Sequence, residues 1–526
     1  MKQAVQHAWI DWVYSAIEGG GRRLLIEFLQ RQRWFGGKGK LVADVRLIDA
    51  IELSPGMERR LLAVLSVEYR DGVREQYVVP LSVRSGTKRD ETAAIVELLD
   101  SSDRQWVCDA TSENDTWRSL YDIVAKGKEL VGQAGSLAGR TVAGRQEELA
   151  GPAKCVRVLS AEQSNTSVVF DERVIMKLIR KVEIGMNPDS EVLEFLTTKT
   201  LCQDVPPLIG LLTYNEIQVE GRPQGTVGVL QRFVPNTGDG WSYTLRRLNE
   251  LLDKGQGSAR NRGATRSKPV RDSCDDFLEE IQHLGVITGN LHLFLSSKTE
   301  PEAFRPEPIT NHDVARWHRK MTQFLAQVCH DLRVLSADQR AVVGLSLAEV
   351  DGLETACRDR FGDLRLLARE QTVKIRHHGD YHLGQVLKTD DGFVVIDFEG
   401  EPARPLEERR AKVCPLKDVA GMLRSFNYAA QATLKKRGPV SAPEATVMMD
   451  WEGAARAAFL DGYRSAAKPS QATFLPAAWN DTLRVLQVYE LDKALYELWY
   501  EMRNRPEWVS IPLAGIRAMI THGRER

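Results

Sequence analysis

Residues 377–402 read HHGDYHLGQVLKTDDGFVVIDFEGEP, and the reading of this stretch decides the fold. Asp380 is followed five residues later by Gln385 and seventeen residues later by Asp397. Between the two acids lies Thr389-Asp390-Asp391-Gly392, a run of turn residues suited to a hairpin. The strand VVI then delivers Asp397 to the end that carries the Asp380 loop. Phosphoryl transfer from ATP requires such a pair: one carboxylate orients and deprotonates an attacking hydroxyl, and a second holds Mg²⁺ on the phosphates. An amide oxygen such as that of Gln385 serves as a further ligand, because hard cations take oxygen. Standing alone, the pattern reads first as a hairpin with solvated acids.

It does not stand alone. Two hundred residues upstream, VIMKLIR places Lys177 among apolar residues inside a strand. The preceding AEQSNTSVVF (161–170) is a polar turn able to cover phosphates with backbone N–H groups and hydroxyls, although it lacks the glycines of GxGxxG. NPDSEVLEFL opens a helix carrying Glu191 and Glu194. A strand lysine on the phosphates, held by a helix glutamate, is the protein-kinase arrangement. The plainer readings are an edge-strand lysine with a solvated tip and first-turn acids favoured by the helix dipole. VLQRFV follows as a connector, where adenine meets backbone around Arg232, Phe233 and Val234. Loop, lysine, helix acid, connector, catalytic loop and metal aspartate occur in kinase order.

Outward from these motifs, the chain divides into three. Residues 1–100 read as a helix (LLIEFLQRQRWF), a glycine cluster at Gly36, Gly37 and Gly39, and a meander of strands: an N-terminal cap. Residues 101–235 hold a polar stretch with one helix (TWRSLYDIVAKG), then strands and a further helix: a nucleotide-binding lobe. Residues 236–526 are mostly of helical period. The fold class is α+β: a bilobal protein-kinase-like fold with a β-rich cap and a large, mostly helical C-lobe. Residues 254–272, KGQGSARNRGATRSKPVRD, are basic and nearly devoid of apolar side chains; they read as a disordered insertion, with a docking strip for an acidic partner as the alternative.

Composition excludes several classes. With 71 Lys+Arg against 72 Asp+Glu, the net charge is −1, which argues against a dedicated nucleic-acid binder. The first residues lack the apolar core of a secretory leader, and nowhere do about 18 apolar residues run together, so no membrane span is expected. The seven cysteines are scattered without a CxxC motif, which fits free thiols in a reducing cytoplasm.

The chain resembles the bacterial maltokinases, a family with an aminoglycoside-phosphotransferase-like, eukaryotic-kinase-like fold. The resemblance is carried by RQRWFGGKGK (31–40), EQSNTSVVF (162–170), NPDSE (187–191), HHGDYHLGQVL (377–387), IDFEGEP (396–402), KDVAGMLRSFNYAA (417–430) and YELDKALYELWYEMRNRPEW (489–508). It implies ATP-dependent phosphorylation of the anomeric hydroxyl of maltose to maltose 1-phosphate, which feeds α-glucan synthesis. It also implies a maltose supply linked to trehalose synthase, as a partner. Carried over residue by residue, Asp380 is the catalytic base, and Gln385 and Asp397 are the Mg²⁺ ligands, with Glu399 supporting metal or sugar. Lys177 meets the phosphates with Glu191 as its partner, and Ser164, Asn165, Thr166 and Ser167 form the phosphate loop. His382, Lys493, Tyr496, Glu497 and Tyr500 take the sugar.

The residues themselves speak for part of this. Tyr489, Lys493, Tyr496 and Tyr500 fall at i, i+4, i+7 and i+11, on one helix face, and Val488, Leu491, Leu495, Leu498 and Met502 form an apolar stripe beside it. Such a face suits a disaccharide; amphipathic packing is its plainer reading. Arg424 reads either as a sugar contact or as half of a salt bridge. RWFGGKGK reads as a structural turn under Trp34 and Phe35, since no Ser/Thr follows Lys38. The rival functions are a kinase of another sugar such as glucosamine, an aminoglycoside kinase, and a non-catalytic partner of a trehalose synthase. Asp380, Asp397 and Lys177 are all present, against the last.

Overall fold

The structure, a computed structural model, describes residues 2–53, 59–85, 94–98, 105–159, 165–216, 224–261, 274–297, 300–336, 344–438, 440–468 and 471–521. They form two compact units. One comprises residues 1–198 and 206–235, the other residues 199–205 and 236–526.

The first unit opens with helices Lys2–Ala16 and Arg22–Arg31. Five strands follow: β1 Val42–Glu52, β2 Arg60–Tyr69, β3 Arg74–Ser85, β4 Ala94–Leu98 and β5 Gln105–Asp109. They pair antiparallel in the order β1-β2-β3-β5-β4. The cap sheet therefore runs past residue 100, because QWVCD, flanked by polar residues, pairs β3 on one side and β4 on the other. WFGGKGK is a structural turn: Phe35 is buried 5.1 Å from the Tyr77 ring, and the Arg180 guanidinium lies 4.9 Å over Trp34.

A second, seven-stranded sheet follows helix Asn114–Ala125. It contains β6 Glu129–Val131, β7 Gly135–Thr141, β8 Val156–Val158, β9 Asn165–Phe170, β10 Val174–Ile179, β12 Leu208–Glu216 and β13 Gln224–Arg232, in the order β6-β7-β12-β13-β10-β9-β8. The short β11, Lys181–Val182, instead joins β3 of the cap sheet. Strands β6 and β7 are a surprise for so polar a segment. GSLAGRT has little intrinsic β preference, and the ladder to β12 holds it extended. Along β10, Val174, Met176 and Leu178 enter the core with Val168, Phe170 and Trp117. Each such fully buried side chain contributes about 1.5–3 kcal/mol. Period two turns Lys177 to the opposite face, where Ser167 of β9 is its register partner.

The second unit is mainly helical. Its longest helices are Gly240–Asn261, Asp275–Leu295, Asn311–Val334, Leu416–Arg437, Ala442–Ala466 and Trp479–Asn504. Of the insertion expected to be disordered, residues 254–261 continue the first of these helices, a correction; residues 262–272 lie outside the described residues. Among the described residues, capping boxes start Asn311–Val334 at Thr310/Asp313, Leu347–Phe361 at Ser346/Glu349 and Ala442–Ala466 at Ser441/Glu444. The expected hairpin is present as β14 Val386–Thr389 against β15 Gly392–Val395, turning at Asp390-Asp391. Among the described residues no helix is long and apolar enough to cross a membrane.

Candidate active site

In the helical unit, the segment His377–Asp380 is held from below by one carboxylate. Asp418 Oδ2 accepts the His378 backbone N–H at 2.8 Å, and Oδ1 accepts the Gly379 N–H at 2.9 Å. Asp418 is buried, with His292 Nε2 3.2 Å from Oδ2 and Tyr463 Oη 3.1 Å from His292 Nδ1. Burial pushes the Asp418 carboxyl up, but His377, His292 and His378 outweigh it and hold the group below the usual carboxylate range. Gly421, one turn further on, leaves room for the Tyr381 carbonyl, which a Cβ there would strike. Gly379 sits at φ +92°, a conformation few L-residues adopt, and so turns the chain immediately before Asp380.

The His378 imidazole then joins the two acidic segments. Its Nε2 lies 2.9 Å from the Ile396 carbonyl, and its Nδ1 accepts the Asp380 N–H at 3.4 Å. That pairing assigns the proton to Nε2. Ile396 N–H in turn donates to the Gln385 carbonyl at 3.0 Å. The hairpin thus brings Gln385 beside Asp397, which follows β15 at φ +68°, a strained value for a non-glycine residue. The Glu399 carbonyl accepts from Arg409 Nη1 at 3.2 Å.

Around the Asp380 carboxylate, Lys493 Nζ is 3.4 Å from Oδ1 and His382 Nε2 is 3.9 Å from Oδ2. Lys493 also lies 3.7 Å from Glu401 Oε1 and 5.3 Å from the Tyr496 ring centroid. Burial opposes its charge, yet Asp380 and Glu401 prevail and raise its pKa. Burial likewise works against an ionised Glu401; Lys417, Lys493 and Arg404 overcome it and bring the carboxyl down to about 2.

The expected tyrosine face divides. Tyr489 is core, Tyr496 is half-buried against Trp499 and Phe324, and Tyr500 is exposed beside Arg505. Val488, Leu491, Leu495 and Leu498 are buried, as their stripe predicts, whereas Met502 is only half-buried. Glu497 does not face open space: Arg424 grips its Oε2 through Nε at 2.9 Å and Nη2 at 2.7 Å, a buried salt bridge. Helical spacing alone could not reveal the arginine on a separate helix.

In the first unit, Lys177 is nearly buried and its Nζ lies 4.0 Å from Asp189 Oδ2. Asp189 also accepts from Gln231 Nε2 at 3.1 Å, and it stands with Glu191 in the first turn of helix Pro188–Lys199. Glu194 is bound to Arg140. The expected phosphate loop is corrected in part. β9 already begins at Asn165, so Thr166 and Ser167 are buried ladder residues, and the Thr166 hydroxyl accepts from Arg180 at 2.9 and 3.0 Å. Ser164 lies outside the described residues. The connector is also more occupied than expected: Arg232 binds Glu148, and the N–H groups of Arg232 and Phe233 donate to the Pro207 and Arg173 carbonyls. Val234 is half-buried at the end of the connector.

Sequence reading missed Asp418, Glu401, His378 and Asp189. A buried aspartate within KDVAGMLRSF was the one visible signal, since an acid among apolar residues demands partners.

Comparison with known proteins bears on this arrangement. Residues 28–112 match the family model of the maltokinase N-terminal cap domain. The chain is 25% identical over 368 residues to a glucosamine kinase of Streptacidiphilus jiangxiensis, covering 69% of this chain and 73% of that protein. It is 24% identical over 377 residues to a glucosamine kinase of Mycolicibacterium smegmatis, covering 70% and 80%. A solved glucosamine kinase in complex with glucosamine, ADP and inorganic phosphate superposes at a TM-score of 0.61 with 21% identity, covering 94% of this chain and 98% of that one. A second crystal form gives 0.64. The fold is therefore kinase-like, with a β-rich N-terminal region and a mostly helical C-terminal part. The cap match and these relatives together support a sugar kinase.

Proposed function

We propose that the chain transfers the γ-phosphoryl group of ATP to the anomeric hydroxyl of maltose, giving maltose 1-phosphate and ADP. The observation that carries the reading is the Asp380 carboxylate, presented on a loop anchored by Asp418 and tied through His378 to the Asp397 segment, in a chain that carries a maltokinase-type cap. Asp380 accepts the proton of the anomeric hydroxyl as its oxygen bonds to the γ-phosphorus and the bond to the ADP oxygen breaks. Lys177, set against Asp189, meets the phosphates. Lys493 and Tyr496 face the sugar beside Asp380, with His382 at the other carboxylate oxygen.

Gln385 and Asp397 would hold Mg²⁺, which when bound neutralises phosphate charge. Their donor set is hard oxygen, as Mg²⁺ prefers. Among the described residues no three His, Cys, Asp or Glu side chains converge into a cage. That fits an ion that completes its shell with water and phosphate oxygens. On this reading the product feeds α-glucan synthesis in the cytoplasm, and a trehalose synthase supplies the maltose, as a partner.

The relatives favour a second reading, phosphorylation of glucosamine. A coupled ADP-release assay across maltose, glucose, glucosamine, trehalose and kanamycin separates the two. Turnover highest on maltose is expected; turnover confined to glucosamine would replace maltose as the acceptor and leave the kinase chemistry intact.

A further inference from the structure

The carboxylates nearest the reacting end of the helical unit already have their cations. Asp380 has Lys493 at 3.4 Å; Glu401 has Lys493 at 3.7 Å and Arg404 Nε at 2.9 Å; Glu497 has Arg424 at 2.7 Å. Asp492, next to Lys493 on the helix, is pushed by burial toward its neutral form. Asp397 and Glu399 belong to the segment assigned to the metal. Among the described residues, an acceptor approaching Asp380 therefore meets the Lys493 ammonium, whose carboxylate neighbours Asp380 and Glu401 already stand in ion pairs with it.

We infer that Lys493 is a charge filter, which selects neutral sugars and rejects acceptors carrying an ammonium next to the reacting hydroxyl. The inference rests on the sugar-kinase reading and adds to it the residue that decides between neutral and amino sugars. In a hexose, the 2-substituent is on the carbon adjacent to the anomeric carbon. When the anomeric hydroxyl binds Asp380, a 2-ammonium comes close to the half-buried Lys493, whose Nζ lies 3.4 Å from the same carboxylate. Like charges repel strongly there, since the surroundings screen them less than bulk water does. The ammonium cannot take Asp380 as its own counter-ion without displacing Lys493, whose charge would then lose its closer partner. A 2-hydroxyl faces neither cost and can accept a hydrogen bond from Lys493.

The test uses the full chain with ATP and Mg²⁺, and quantifies sugar 1-phosphate from glucose, 2-deoxyglucose and glucosamine, which differ only at carbon 2. For the wild type, kcat/KM on glucosamine is expected at least about tenfold below that on either neutral sugar, a difference within the reach of one charged contact. Lys493→Gln lowers all three rates, but the ratio of glucosamine to 2-deoxyglucose rises about tenfold; Lys493→Arg keeps the wild-type ratio. The ratio is taken within each variant, so a general loss of activity cancels. Wild-type enzyme that uses glucosamine as well as 2-deoxyglucose overturns the filter, as does a folded Lys493→Gln protein with an unchanged ratio. Should Lys493→Gln not fold, the wild-type comparison and the arginine variant decide, and loss of the discrimination in the latter contradicts the filter. Maltose turnover with equal use of glucosamine and 2-deoxyglucose, or with no product from either neutral monosaccharide, sinks the filter alone. Absence of phosphate on every sugar, maltose included, sinks the sugar-kinase reading beneath it.

Discussion

Asp418 holds Gly379: its Oδ1 accepts the Gly379 N–H at 2.9 Å, and the residue so fixed is the neighbour of Asp380. The other oxygen binds the His378 N–H, so one side chain satisfies two backbone donors and a buried imidazole. Asp418→Ala leaves all three without an acceptor, and removing one partner of such a buried charged cluster costs about 3–5 kcal/mol. Urea denaturation of the helical unit should show a midpoint lowered accordingly, with kcat reduced beyond what the lost folded fraction explains. An unchanged midpoint would show that the loop does not depend on Asp418.

His377 sets a pH dependence of stability. It is buried, neither ring nitrogen has a partner among the described residues, and burial lowers its pKa from 6.5 to about 4. Between these values the unfolded chain binds a proton that the folded chain does not, so stability falls as pH drops from 6.5 towards 4. One proton corresponds to about 1.4 kcal/mol per pH unit. His377→Phe keeps the ring and removes the titration. Denaturation series at pH 4.5, 5.5, 6.5 and 7.5 should show a shallower acid slope in the variant, and parallel slopes would contradict this origin.

Glu497 is expected to act on stability before it acts on sugar. Glu497→Ala strands the Arg424 charge in the interior and should cost about 3–5 kcal/mol, with Glu497→Gln costing less because it still accepts a hydrogen bond. Unfolding midpoints of the two variants check this. A variant as stable as wild type but with a raised KM for sugar would return Glu497 to the acceptor.

Asp189 makes a prediction for the nucleotide side. Its carboxylate orients Lys177 and Gln231. Asp189→Asn keeps the shape and removes the charge, so KM for ATP should rise about tenfold, the equivalent of one charge-assisted contact. KM for the sugar should stay the same. Equal changes in both would point to a general structural role.

How far the sequence was legible varies with the range of the interaction concerned. The hairpin of residues 386–395, the strand carrying Lys177 and the helix Pro188–Lys199 depend on neighbours in sequence, and periodicity with turn residues announced them. Strands β6 and β7 were hidden because pairing with distant β12 holds β7 extended, and β7 in turn holds β6. The site shows the same division. Asp380, Gln385 and Asp397 were readable as a motif, and the structure joins their segments through His378. The Asp418 anchor, the Glu497–Arg424 bridge and the Asp189 partner of Lys177 required knowing which side chains meet across elements. Tyr489 shows the limit of helical spacing: it shares a face with Lys493 on a helical wheel, yet packing covers it.

The most direct test of the central claim is the turnover of Asp380→Asn with ATP, Mg²⁺ and maltose. General-base catalysis of this kind is worth about 10²–10⁴ in rate, so kcat should fall by that factor while the circular dichroism spectrum and ATP binding stay as in the wild type. An Asp380→Asn enzyme that phosphorylates maltose at the wild-type rate would contradict the account.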